Sequence, residues 1–437
     1  MLKAKNRLGL VFFPAFDWAI SPTHPEREER LLYTSDQVSE EGIEDIEGVR
    51  FFNPTVAKEE DIKRVHFCVP DVDAVVTKSH QISAGGAITA ARALMEGKVD
   101  KAFAMVRPPG HHAHRVVYGD RGFCIINNEA IMLEHIRQHF GPKRVAIVDT
   151  DCHHGDGTQD IYWNDKDTLF ISLHQDGRTL YPGSGFPDEM GGPGAYGYTI
   201  NVPLPPGTGE EGFLYTIENL VLPILEEYRP ELIVNSAGQD NHYTDPITNM
   251  NFTAQGYARL TELVNPDIAV LEGGYSIEGA LPYVNLGIIL ALAGLDYSKV
   301  KEPDYDPEKL RQPTWISDYI KHLCEDIYQR WRRRRDIAKK MFEGKEFVRR
   351  EKRIYYDTIG IMETQEETIK VCQACSGYTV IKSRCDYGYF ILGIVIPFGA
   401  CPNCVEEARK IYRSADPGDY TGIYLLDRVN DEFKVKK

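Results

Sequence analysis

Short apolar, β-branched runs at 8–13, 102–106, 144–149, 168–174, 231–236 and 267–271 alternate with stretches of helical period at 83–96, 128–138, 210–228, 253–264 and 277–293. Strands that alternate with helices predict a mostly parallel sheet, buried on both faces because each crossover lays a helix against it. No internal repeat is visible. Ligands of such sheets bind beyond the carboxyl ends of the strands, and the chemically capable residues fall there. His111 and His112 follow 102–106, and Asp149 to Gly157 follow the run that ends at 149. Asp240 and Asp245 follow 231–236, while Gly273, Gly274 and Tyr275 follow 267–271. The fold expected from the alternation therefore brings His, Asp and Tyr side chains to one rim.

The length, 437 residues, allows one large domain and a smaller one. We expect a large domain over 1–300, a charged helical linker over 301–365 and a cysteine-rich module over 366–437. The formal charge of −15 argues against broad nucleic-acid binding. The basic run from Arg330 to Arg335 reads as a solvated helix face or a partner for the chain's own acidic surface. The apolar run 8–16 is short and holds Pro14, which does not suit a signal peptide. The run 280–295 carries Pro282 and Asn285 and suits a buried helix better than a membrane span. Nine cysteines, four of them in two C-x-x-C pairs, point to a reducing, cytoplasmic setting and to metal binding rather than disulfides.

Asp151 and His153 are two residues apart, so on an extended segment they point to the same side and can bind one divalent metal. Asp245, followed by Pro246, is the best candidate for a third ligand from another strand end. Two carboxylates and one imidazole with open positions suit a catalytic metal. Zinc fits best; Fe(II) or Co(II) would fit similar ligands. Pro108, Pro109 and Gly110 make a rigid loop that holds His111 and His112. A metal-activated water needs a base for its proton and an acid for the leaving amine. Twin imidazoles tuned by carboxylates such as Asp149 and Asp156 can share those tasks. Tyr275, after two glycines, can donate to an oxyanion. Taken singly, each has a plainer reading: a turn-capping Asp, a loop His pair bonded within itself, a packed aromatic.

Together these strings resemble the histone deacetylase family in its broad sense, over roughly 8–295. The carrying segments are His24-Pro-Glu-Arg27, Arg107-Pro-Pro-Gly-His-His-Ala113, Gly122-Phe-Cys-Ile-Ile-Asn-Asn128, Asp149 to Gly157, Ser236-Ala-Gly-Gln-Asp240 with Asp245-Pro246, and Leu271-Glu-Gly-Gly-Tyr275. The forms look closest to the class II-like and bacterial branches, which include acetylpolyamine amidohydrolases and acetoin-utilisation proteins. The resemblance implies a three-layer arginase/deacetylase-like α/β fold and zinc-dependent removal of an acetyl group from a lysine side chain or a small amine. It implies that Asp151, His153 and Asp245 bind zinc, that His111 and His112 form an acid/base pair backed by Asp149 and Asp156 respectively, and that Tyr275 polarises the carbonyl. Gly122, Phe123 and Tyr181 would wall a narrow channel. A monovalent cation, K⁺ or Na⁺, would bind at Asp149, Asp151, His153, Ser172 and Leu173, and a second at Tyr162, Asp165, Thr168 and Tyr198. Gln239, His242, Tyr243, Asn249 and Met250 depart from the commonest family pattern around the metal-ligand loop, which bears on substrate choice.

Cys372 and Cys375 pair with Cys401 and Cys404 as two knuckles that can enclose a structural zinc, as in zinc ribbons, with a somewhat long gap between them. The alternative is free or redox-active thiols. Two other functional readings stay open on sequence alone. One is a non-catalytic regulatory module that binds a ligand and a partner, against which the intact His111, His112 and Tyr275 count. The other is a binuclear manganese ureohydrolase, which needs a second full ligand set that we cannot assign. Oligomeric state is left open, and no membrane partner is expected.

Overall fold

In a computed structural model the chain is described over residues 2–437 except 142, 304 and 309; Met1 and, within the predicted linker, Asp304 and Lys309 thus lie outside the described residues. Its centre is an eight-stranded sheet of β1 (Lys3–Phe13), β2 (Glu47–Phe52), β3 (Lys101–Val106), β4 (Val145–Asp149), β5 (Thr168–Gln175), β6 (Thr199–Leu204), β7 (Leu232–Ala237) and β8 (Ile268–Leu271). The strands lie in the order β2-β1-β3-β8-β7-β4-β5-β6, and every pairing is parallel. Alternation along each strand feeds both faces. Val145, Ile147, Ile268 and Val270 pack under helices α1 (Lys78–Met95) and α2 (Asn128–Phe140). Ala146, Val148, Ala269 and Leu271 face α3 (Ala254–Val264) and α4 (Leu281–Ala293). Each of the valine, isoleucine and leucine side chains contributes roughly 1.5–3 kcal/mol by leaving water. This is the predicted three-layer α/β arrangement. The run at 280–295 is a buried helix, and no helix among the described residues is long and apolar enough to cross a membrane.

Register decides which loops meet. Asp149 at the end of β4 pairs with Ser172 of β5 on one side and Ser236 of β7 on the other. Leu271 pairs with Ala237, so the loops after β4, β7 and β8 leave the sheet side by side.

After the main domain, α5 (Thr314–Arg332) packs Ile316, Ile320, Ile327 and Trp331 into its core, and α6 (Arg334–Phe342) follows. Within the basic run, Arg330 pairs with Asp326 and Arg334 with Glu227. The 315–353 segment, which reads as one charged helix, is helical only to Phe342; a strand begins at Phe347. A second, six-stranded sheet comprises β9 (Phe347–Tyr356), β10 (Ile361–Lys370), β11 (Thr379–Cys385), β12 (Phe390–Ile396), β13 (Gly422–Asp427) and β14 (Glu432–Lys436), in that order. Helix α7 (Pro402–Ser414) makes the crossover between the parallel pair β12 and β13. One face of this sheet packs Ile354, Tyr356, Ile381, Ile391 and Tyr424 against Phe67, Val69, Val116 and Tyr118 of the main domain. Polar links reinforce the seam. Tyr118 Oη meets Ser383 Oγ at 2.8 Å, Tyr356 Oη lies 3.1 Å from the Val116 carbonyl, and Arg350 and Lys352 close on the buried Asp160.

Candidate active site

The loop after β3 carries the histidine pair and is gripped from behind. Glu26 Oε1 accepts from Arg107 Nε at 2.7 Å and its Oε2 from Arg30 Nη1 at 2.6 Å, all three side chains fully buried. Arg30 also donates to the carbonyls of Gly274, at 2.6 Å, and Glu272, so one carboxylate ties the His111 loop to the Tyr275 loop. Glu272 Oε2 accepts the backbone N–H groups of Gly110 and His111 at 2.7 and 3.0 Å. Gly110 has no alternative: a Cβ there would stand 2.5 Å from the Asn128 nitrogen.

Each imidazole has its own carboxylate. His111 Nδ1 lies 3.1 Å from Asp149 Oδ2 and His112 Nδ1 lies 2.8 Å from Asp156 Oδ1, with the two rings 4.1 Å apart. The environments split the pair. Burial pulls both down, but the carboxylates of Asp151 and Asp149 outweigh it at His111 and push that ring up to about 10. At His112 burial and the neighbouring His111 prevail over Asp156, and the ring is held neutral. Asp156 is itself neutralised by Arg121, whose Nη2 and Nη1 reach its two oxygens at 2.6 and 3.0 Å.

Beside the histidines, Asp151, His153 and Asp240 bring ligand atoms within 4.8 Å of one another. His153 Nδ1 lies 2.7 Å from Asp240 Oδ2 and 3.3 Å from Asp151 Oδ1. Asp245, expected from sequence as the third ligand, falls outside this tightest set. Its Oδ2 accepts from the Tyr275 backbone N–H at 2.8 Å and its Oδ1 from Ile247 at 3.0 Å. Burial and the adjacent carboxylates raise Asp240 to about 6 and Asp245 to about 7. A dication would relieve that crowding, and oxygen with imidazole donors suits zinc. His154, in the same string, turns away to Ser184 and Gln159.

Tyr275 reaches the same space. Its ring stands 4.9 Å from the Arg30 guanidinium and edge-on to Phe123 at 5.6 Å. Burial keeps its hydroxyl protonated, a donor at any working pH. Pro109, His111, His112, Gly122, Phe123, His153, Leu180, Tyr181, Ile247, Tyr275 and Asp357 line a channel of about 290 Å³. The channel residues expected from sequence, Gly122, Phe123 and Tyr181, are all there. A Cβ on Gly122 would stand 2.6 Å from His112 and 3.0 Å from Tyr181, so the wall at that point must be glycine.

Asp149, at the end of β4 and next to Asp151 and His153 in sequence, pairs with Ser172 of β5, which Leu173 follows. At the opposite end of β5, Asp165 and Thr168 are already bonded by the Arg137 guanidinium, at 2.9 and 2.8 Å, and Tyr162 and Tyr198 flank them. There a built-in cation already serves the only carboxylate of the second expected monovalent site. The four cysteines converge as well, all sulfurs within 4.8 Å and Cys372 to Cys401 at 4.0 Å. A tetrahedral zinc with about 2.3 Å bonds sets sulfurs roughly 3.8 Å apart, so this cluster fits one. Cys401 caps α7 and Cys404 sits in its first turn.

Sequence reasoning missed Arg30, Arg121 and Asp357, used Glu26 and Glu272 only as motif letters, and placed Asp240 at the rim without giving it a role. Arg30 stands four residues after Glu26, a helical spacing that could have flagged the pair. Asp357 carries no such signal; only the docking of the second sheet brings it to the channel.

Comparison with known proteins agrees with this geometry. A histone deacetylase domain profile matches residues 71–285. A probable deacetylase of Archaeoglobus fulgidus is 46% identical over 336 residues, covering 70% of this chain and 92% of that protein. An acetylpolyamine amidohydrolase of Burkholderia pseudomallei is 39% identical over 201 residues, 45% of this chain and 57% of that protein. Among solved structures, the HDA15 HD domain superposes with a TM-score of 0.66 at 27% identity, covering 78% of this chain and all 100% of that one. With its parallel sheet, its paired imidazoles and nearly the whole length of a 46%-identical relative matched, this chain belongs to the histone deacetylase family and is a hydrolytic deacetylase.

Proposed function

We propose that the channel takes the N-acetyl amide of a primary amine, either an acetylated lysine or an acetylated small amine, and hydrolyses it to acetate and the free amine. The observation that carries this reading is the pair of imidazole–carboxylate dyads facing the Asp151–His153–Asp240 cluster beneath Tyr275. Asp151 and His153 would hold the zinc, with Asp245 and Asp240 completing or supporting the shell. Bound there, zinc supplies Lewis-acid polarisation of the carbonyl and of water. His112 is neutral and its Nδ1 engages Asp156, which leaves Nε2 free to take a proton as water adds to the carbonyl carbon. Tyr275 donates to the oxyanion. As the C–N bond breaks, the proton passes to the departing nitrogen, and the His111–Asp149 pair holds a balancing positive charge alongside.

A monovalent cation at Asp149, Ser172 and Leu173 and a structural zinc in Cys372, Cys375, Cys401 and Cys404 belong to the same proposal. The non-catalytic alternative gains nothing from this site, in which each group needed for acyl transfer has a partner. Asp151→Asn is the decisive test. We expect one fewer zinc per chain by metal analysis and a fall of at least about 10³-fold in hydrolysis of an acetylated amine, with an unchanged circular dichroism spectrum. Unchanged zinc content and turnover would sink the assignment.

A further inference from the structure

We propose that Asp357, on the turn between β9 and β10 of the C-terminal sheet, is a substrate-binding residue of the channel and selects acetylated amines that carry a second, protonated amine. The inference rests on the reading that the channel receives an N-acetyl amide. Asp357 lines that channel together with His112, Phe123, Tyr181 and Tyr275, although it lies in a different sheet and is far away in sequence.

The turn is locked onto the channel wall. Asp357 Oδ1 accepts the Gly122 N–H at 2.9 Å and the Tyr181 hydroxyl at 3.0 Å. Thr358 Oγ1 meets Asp120 Oδ1 at 3.1 Å, and Ile359 fills the space over Gly119, where a Cβ would stand 2.4 Å from its Cδ1. The wall it holds is strained: Gly122 and Phe123 sit in succession at φ 54° and 67°, and for Phe123 that conformation is costly. One oxygen of Asp357 thus fixes the wall. The other, Oδ2, has no hydrogen-bond or ion-pair partner among the described residues, and the residue is exposed. Arg121, beside Tyr181, does not neutralise it, because its guanidinium is committed to Asp156. A carboxylate at a channel mouth with no cation of its own attracts a positively charged group on the part of the substrate that stays outside.

Asp357→Asn tests the charge apart from the wall, since its amide oxygen can still accept from Gly122 and Tyr181. Two probes share the same acetyl end: a monoacetylated diaminobutane, which is cationic, and N-butylacetamide, which is neutral. For the zinc-loaded full chain, we expect the substitution to raise KM for the cationic amide about fivefold to tenfold with kcat retained. The neutral amide should change less than about twofold. Equal losses on both amides, or no loss on either, would overturn the proposal. If the wild-type protein hydrolyses neither, the deacetylase reading of the channel fails separately. Calorimetric binding of the same two amides then still decides the role of Asp357: selective weakening of the cation supports it, and unchanged binding overturns it.

Discussion

The two sheets handle buried charge in opposite ways. At the rim of the parallel sheet, Asp149, Asp151, Asp240, Glu129 and Glu272 are all buried, and the side chains that could balance them are mostly imidazoles. In the C-terminal sheet every buried carboxylate is answered. Glu367 meets Arg350 and Lys352, Asp427 meets Arg409, and Glu363 accepts from Tyr356 at 3.0 Å and Ser383 at 2.5 Å. Burying an unpaired carboxylate costs several kcal/mol, whereas a fully bonded one is close to neutral. The contrast locates chemistry. Charge left unbalanced marks a place prepared for something absent from the chain itself, and balanced charge marks a structural seam. The cysteine cluster is the exception in the second sheet: four sulfurs within 4.8 Å of one another, enough to fill every position of one tetrahedral ion.

If that contrast holds, removing each metal should have a different consequence. Cys404→Ser should release the proposed structural zinc and loosen α7, lowering stability on the order of 5 kcal/mol in chemical denaturation. The same variant should still hydrolyse acetylated amines so long as β9 and β10 stay docked. A Cys404→Ser protein with unchanged stability and full zinc content would erase the distinction between the two sites. At the rim, Tyr275→Phe removes one donor and no packing. We expect kcat to fall about 10²–10³-fold, roughly 3–4 kcal/mol of barrier, with KM nearly constant. A rise in KM at constant kcat would make Tyr275 a wall of the channel rather than an oxyanion donor.

The inner strands of the parallel sheet were legible because they are apolar on both faces and their functional letters sit just past them, whereas the edge strands Glu47–Phe52 and Thr199–Leu204 were not among the runs read as strands. The strands predicted at 144–149 and 267–271 appear as Val145–Asp149 and Ile268–Leu271. In the C-terminal sheet the apolar stretches at 378–382 and 389–396 are visible and fall on β11 and β12, but β9 and β10 were not legible, for a physical reason. In β9, Arg350 and Lys352 turn inward to Asp160 and Glu367; in β10, Glu363, Gln365 and Glu367 fill the middle of the buried face between Ile361 and Ile369. A strand that buries charge on its inner face has no alternation of apolar and polar residues, and its Arg, Lys and Glu content imitates a helix. In the rim, Asp151 and His153 were readable from their spacing. Asp240 was not chosen over Asp245, since only the turn after β7 decides which carboxylate points at His153.

The smallest effect tests the comparison most directly, because it reads the imbalance itself. Neither oxygen of Glu129 nor Oε1 of Glu272 has a hydrogen bond in the structure, and two ionised carboxylates have nothing to donate to one another. One proton shared between the two carboxyls, with Ser236 alongside, satisfies the group. Burial first, and then the other acid, raises Glu272 well above the usual carboxylate range, and burial likewise raises Glu129 to about 7. A folded-state pKa above the unfolded value near 4.5 means that the folded chain binds more protons. Stability from Glu129 is therefore fully present below about pH 4.5 and is lost as pH rises through the window up to about 7. Glu129→Gln supplies a permanent donor and removes one ionisation, while leaving Glu272 to accept from Gly110 and His111. In the zinc-loaded protein, where the rim carboxylates are held by metal, the variant should be indistinguishable from wild type near pH 5. It should gain on the order of 2 kcal/mol over wild type by pH 8. Denaturation curves that stay parallel from pH 5 to pH 8 would show that the two acids are balanced by something else, and the rim would lose its claim to differ from the seam.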